Sequence, residues 1–216
     1  MATLTCVREI TIEKPAEEIW DWVSNLDNIM TLNQFHVAID YDAGGESPKR
    51  GLAVPLHHDF FGYKHVRMAT IQAYGDHKIG WGERHVAEVE GEGDPFPHSE
   101  AWWIESLGPD RSLVRTSLRG SMQWGPLTSV LADYLWSILI PPILDTDLKT
   151  LAWRLGGGGE EPTLELSPHT LFVNRLLAAR EIDGQPVEKL MADFLPEGMI
   201  KPGIPLDADK AFLPVN

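Results

Sequence analysis

His57, His58, His65, His85 and His98 crowd into one stretch of the chain, and Glu100 follows two residues after the last of them. In an extended strand, alternate residues share a face. Leu52, Val54, Leu56 and His58 therefore form one row, His65 and Arg67 another, and Trp81, Glu83 and His85 a third. An inward-facing histidine or arginine can hold a phenolate, carboxylate or carbonyl and polarise it, as enolate or aldol chemistry requires. The face of Glu100 depends on register. Val114, Thr116, Leu118 and Met122 alternate with Arg115, Ser117, Arg119 and Gln123, so the first set is expected inside. A five-residue connection pairs Ile104 with Val114 and turns Glu100 and Trp102 inward, whereas a four-residue one turns Ala101 and Trp103 inward. The first is preferred because it sets apolar against apolar. A carboxyl on an apolar wall has its pKa raised by desolvation, which suits a general acid or base near neutral pH. The alternative for Glu100 is an ion pair with an arginine on a neighbouring strand.

Other chemistries find less support. His57 and His58 are adjacent and point to opposite faces, and none of the histidine pairs has a zinc-like helical spacing, so neither a metal nor a cofactor is expected. Cys6 is the single cysteine, which excludes disulfides and a zinc-thiolate cluster. No GxSxG, Walker or dinucleotide glycine pattern is present, and Gly156 to Gly159 follow a helix instead of opening one. They read as a linker. The formal charge of −14 repels phosphate backbones and anionic headgroups, so nucleic acid is not an expected partner. Neither the amino-terminal residues nor the apolar run from Val130 to Leu144, with Asp133 and two prolines, suits a leader or a span; a cytoplasmic protein without stable membrane insertion is expected.

The elements that would position these residues follow from periodicity. Thr5 to Ile12 reads as a strand that Pro15 ends. A short amphipathic helix follows, with Ile19, Trp22, Val23 and Leu26 on one face and Glu17 and Glu18 in its first turn. Strands are then expected near residues 37–41, 51–58, 63–73, 78–89, 99–107 and 112–123, separated by glycine-, proline- and aspartate-bearing turns. From Pro126 an apolar stripe at helical spacing includes Tyr134. Pro141 and Pro142 should break or kink that helix near Ile140 before Leu144, Leu148, Leu151, Ala152 and Leu155 resume the pattern. Strands followed by a separate long helix argue for an α+β domain with an antiparallel sheet. Beyond Gly159, Ser167 is placed to cap a helix over residues 168–180, and a further helix is expected over 187–194.

The stretch ITIEKPAEEIWDWVSNLDNI, a meander with the aromatic strand Glu100-Ala101-Trp102-Trp103-Ile104-Glu105, and a closing helix ending LKTLAWRL resemble the START/Bet v 1-like (SRPBCC) superfamily, nearest its polyketide cyclase/dehydrase branch. The resemblance runs from about Leu4 to Leu155. It implies a helix-grip fold: a curved seven-stranded antiparallel sheet around a long C-terminal helix, with a cavity between them for hydrophobic or aromatic small molecules. The division expected is a ligand-cavity domain over 1–155, a glycine linker over 156–159, and a C-terminal helical or irregular extension over 160–216, serving as a lid or as a homodimerisation arm. The expected activity is cofactor-independent acid/base catalysis of the cyclase/dehydratase or lyase type on a hydrophobic aromatic or polyketide-like molecule. Glu100, His58, His85, Arg67 and His65 are the catalytic candidates, and Trp81, Trp102, Thr116, Tyr134, Leu118 and Met122 the ligand-binding ones. The alternative is a non-catalytic binding or transport protein for a hydrophobic ligand or lipid.

Overall fold

The computed structural model describes residues 4–42, 47–60, 62–85, 97–120, 126–156, 158–171, 181–182 and 185–186. Strand β1 (Leu4–Ile12) leads through Pro15 into helix α1 (Ala16–Val23), and α2 (Leu26–Met30) follows. The side chain of Asn25 accepts a hydrogen bond from the Asp27 amide and satisfies one donor at the start of α2. Ile19, Val23 and Leu26 are buried, as their spacing predicts. Six strands come next: β2 (His36–Ile39), β3 (Ala53–Phe60), β4 (Tyr63–Gly75), β5 (Lys78–His85), β6 (His98–Gly108) and β7 (Arg111–Gly120).

The seven strands form one antiparallel sheet in the order β1-β7-β6-β5-β4-β3-β2, so the meander is closed at one edge by the first strand. Asp76 and His77 both have positive φ, and the tight β4–β5 turn that results matches the right-handed twist of the strands it joins. Ile104 stands opposite Val114, the register preferred from sequence. That pairing also sets Trp102 opposite Thr116 and Glu100 opposite Leu118, all on the inner face.

Helix α3 (Pro126–Arg154) lies against β1 and β7. Of the break or kink expected near Ile140, the break does not occur: helix runs through both prolines. Leu139 and Ile140 before them, and Ile143 and Leu144 after them, are all buried, so packing on both sides offsets the two lost amide donors. One apolar cluster joins α1, α2 and the sheet to Leu148 and Leu151 of α3. A second joins Phe35 and Leu118 to Trp136, Leu139, Ile140, Ile143 and Leu144. Leu164 and Leu166, past the glycines, pack on that second cluster. Ser167 does cap a turn, its hydroxyl accepting from the Thr170 amide at 3.1 Å. Farther on, the structure has two short paired strands, β8 (Glu181–Ile182) and β9 (Gln185–Pro186). The helix expected over 187–194, and the end of the one expected over 168–180, lie outside the described residues. Among the described residues, no helix is long and apolar enough to cross a membrane.

Candidate functional site

Two rows of side chains on β5 and β6 build the site. Ile79, Trp81 and Glu83 alternate inward on β5, and His98, Glu100, Trp102 and Ile104 do so on β6. Register sets Trp81 opposite Glu100 and Glu83 opposite His98. Each strand thus carries an indole two residues from a carboxyl, and each indole is spent on it. Trp81 Nε1 donates to Glu83 Oε1 at 2.9 Å, and Trp102 Nε1 donates to Glu100 Oε1 at 2.7 Å. The two carboxyls are nevertheless opposite in character.

Glu83 is fully buried and ringed by cationic or potentially cationic groups. Its Oε2 lies 3.1 Å from His58 Nε2, 3.3 Å from His98 Nε2 and 3.4 Å from Arg67 Nε, and its Oε1 lies 3.9 Å from His36 Nε2. Burial works against its charge, but His98, His58 and His36 outweigh burial and hold the carboxyl well below the usual range. The rings themselves are braced by backbone. His36 Nδ1 donates to the Met30 carbonyl at 2.8 Å and His58 Nδ1 to the Leu56 carbonyl at 3.1 Å, because a carbonyl can only accept. His36 meets His58 edge-on, and His65 stacks on His58 with centroids 4.9 Å apart. Burial, then the neighbouring His58, lower the pKa of His36 to about 3.

Among the described residues, no arginine is found in an ion pair with Glu100. The ion pair considered for it from sequence forms at Glu83 instead. Burial pushes the Glu100 carboxyl well above the usual range, and the charges of Asp147 and Glu83 push it further. Asp147 comes from α3, where it falls on the buried stripe between Leu144 and Leu148. Burial pushes its pKa up to about 8, against the opposing pull of Asn33, whose Nδ2 donates to Oδ2 at 3.1 Å. Asp147 also lines a cleft of about 460 Å³ between α2 and α3, with Trp22, Thr31, Gln34, Thr150 and Arg154 among its walls.

Of the residues expected to do chemistry, His58 and Arg67 meet at Glu83, His65 joins by stacking on His58, and Glu100 carries a carboxyl raised by burial and by the charge of Asp147. His85 stands opposite Arg67 in the β4–β5 register; its side chain is outside the described residues. Trp81 and Trp102 are buried indoles tied to carboxylates. Thr116 is buried, its hydroxyl without a hydrogen-bond partner among the described residues, and Leu118 belongs to the second apolar cluster. The Tyr134 side chain and Met122 lie outside the described residues. Sequence reasoning missed the central role of Glu83, and missed His36, Asn33 and Asp147. The W-x-E and E-x-W spacings on neighbouring strands, and an aspartate at the i+3 position of a leucine stripe, were the available signals.

No family model matches the sequence, and no curated protein matches it significantly. Solved structures do. The Zhui aromatase/cyclase of Streptomyces sp. R1128 superposes with a TM-score of 0.55 at 11% identity, over 71% of this chain and 94% of its own. A truncated norcoclaurine synthase of Thalictrum flavum superposes with a TM-score of 0.51 at 11% identity, over 74% and 96%. A START superfamily protein of Mycobacterium smegmatis matches at 19% identity over 70% and 98%, with a TM-score of 0.49. With its seven-stranded sheet closed on a long C-terminal helix, the chain has the START/Bet v 1-like helix-grip fold.

Proposed function

We propose that the chain is an enzyme that moves protons on a hydrophobic, oxygen-bearing aromatic or polyketide-like small molecule, in a cyclisation, dehydration or lyase reaction. The observation that carries this reading is the presence of two buried carboxyls, Glu100 from the sheet and Asp147 from α3, both raised above the usual carboxylate range by burial, with the charge of Asp147 raising Glu100 further. A carboxyl with pKa about 8 is partly ionised at neutral pH, which suits Asp147 to take a proton from a carbon next to a carbonyl. Glu100, held protonated, is suited to give one to the departing or forming hydroxyl oxygen. In a dehydration the C–H pair passes to the new double bond, the proton goes to Asp147, and the C–O bond breaks as water leaves with the proton of Glu100. The cleft reaching Asp147 is the route in. Its threonine and glutamine walls suit an oxygen-rich ligand, and Trp22 offers an aromatic face. An aromatase/cyclase and norcoclaurine synthase share the fold, which agrees with this class without naming a substrate.

The test is a turnover screen of aromatic and polyketide-like carbonyl compounds with the wild-type chain, Glu100→Gln and Asp147→Asn. Each substitution is expected to lower kcat by about 10²- to 10⁴-fold. Turnover preserved in both would remove the acid/base assignment. A carrier is the second reading, favoured by hydroxyl and amide walls that can bind without titrating. Native mass spectrometry separates the two: a hydrophobic compound retained through purification supports the carrier, and an empty chain that turns over a compound supports the enzyme.

A further inference from the structure

The Glu83 centre has features that a proton-transfer pair elsewhere in the molecule does not explain. His36, His58 and Glu83 are all buried, and their ligating atoms lie within 4.8 Å of one another. Both histidines donate Nδ1–H to a backbone carbonyl, at Met30 and at Leu56, so each presents the lone pair of Nε2 to the carboxylate. Backbone-anchored Nδ1 with a free Nε2 is the arrangement that orients histidine toward a metal. Left alone, those lone pairs face other lone pairs. His58 Nε2 and Glu83 Oε2 are 3.1 Å apart, and each is buried without a properly directed hydrogen bond. Two acceptors at that distance repel, and either a proton on one of them or a metal cation between them reverses the sign.

We propose that His36, His58 and Glu83 bind one divalent transition-metal ion of the zinc class. Ligand atoms about 2.0–2.2 Å from such an ion sit about 3.0–3.6 Å from one another. The 3.1 Å separation of His58 Nε2 from Oε2 falls within that range, and His36 Nε2, 3.9 Å from Oε1, lies just outside it. Two imidazole nitrogens and one carboxylate favour zinc, cobalt, nickel, copper or iron over magnesium and calcium, which prefer all-oxygen sites. The surrounding groups fit supporting roles. Trp81 holds Oε1, His65 stacks on the outer face of His58, and His98 approaches Oε2 from the β6 side. Arg67, 3.4 Å from Oε2, is the group whose charge opposes a cation; the lone-pair sites of a carboxylate leave room for both. Histidines far apart in sequence reach one point because they stand on β2 and β3, where no helical spacing is needed. The assignment goes beyond the acid/base reading and does not rest on it, because the ion need not take part in turnover.

The experiment uses the full chain, stripped with a chelator, and titrated calorimetrically with zinc chloride and by visible absorption with cobalt chloride. One equivalent of either metal is expected to bind, with thermal stability rising under zinc and not under the same concentration of magnesium. His36→Gln and Glu83→Gln are each expected to weaken binding by about 100-fold or more, while His57→Gln, on the opposite face of β3 and paired with Asp40, leaves it unchanged. If either variant fails to fold, the wild-type comparison of zinc with magnesium decides. No saturable uptake by the folded wild-type chain, an equal response to both metals, or unchanged affinity in a folded His36→Gln chain would overturn the site.

Discussion

Asp147 and His36 are both buried ionisable groups, but they pull stability in opposite directions with pH. The folded pKa of Asp147 is raised from 3.8 to about 8, so the stability tied to its proton is whole below 3.8 and is lost as pH rises through 8. The folded pKa of His36 is lowered from 6.5 to about 3, so its contribution is whole above 6.5 and is lost as pH falls through 3. Between 3.8 and 6.5 the two slopes oppose, and above 6.5 His36 falls silent while Asp147 still acts. Urea melts from pH 6.5 to 8 should therefore show wild-type stability falling with pH. In Asp147→Asn that slope should be shallower by up to about 1.4 kcal/mol per pH unit. Parallel curves for the two proteins would mean that Asp147 ionises in its ordinary range. At this scale, alternation along a strand was enough to point to His58, Arg67 and Glu100. It could not show which carboxyl is ionised, because Glu83 and Glu100 share the same local pattern and differ only in what other strands bring to them. Asp147 was harder still, as a stripe of leucines draws attention away from the polar residue within it.

Helix α3 shows how packing can overrule a local rule. Prolines at 141 and 142 remove the amide donors that would reach the carbonyls of Ser137 and Ile138, and a proline in a helix interior costs about 3 kcal/mol relative to alanine. The helix continues because Leu139, Ile140, Ile143 and Leu144 are buried on either side of the pair and cannot be buried together if the axis breaks. Pro141→Ala restores one donor without removing a fully buried side chain, since Pro141 is only partly buried. It should stabilise the protein by about 1–3 kcal/mol in urea titrations. A loss of stability of similar size would show that the ring itself packs against the sheet. The strands and their register were legible because each alternates and the β6–β7 hairpin has an apolar pair, Ile104 and Val114, to fix it. The fate of the proline pair was not, because it is decided by contacts between residues remote in sequence.

For the molecule as a whole, the chain just past the glycines is bound to what precedes it. Trp153 Nε1 donates to the Gly159 carbonyl at 3.1 Å, and Arg154 meets Glu161 at 2.6 Å. These contacts are exposed and contribute little by themselves. Leu164 and Leu166 matter more, because they cover the cluster formed by Phe35, Leu118, Trp136 and the α3 residues around the prolines, and Thr170 beyond them is buried. Glu161 and Pro162 also wall the cleft that reaches Asp147. Ending the chain after Gly159 should therefore cost about 2–4 kcal/mol, from two partly buried leucines at about 1–2 kcal/mol each, and open one side of the cleft. A chain ending after Leu171 keeps both leucines and both cleft walls, and is the reference against which that loss is read. Equal urea midpoints for these two truncations would mean that the leucine contacts contribute nothing, and that residues 160–171 ride on the fold without supporting it. A gap between them would place the boundary of the cooperative unit beyond the glycines, with the carboxyl of Asp147 depending on both sides of that boundary for its shelter from water.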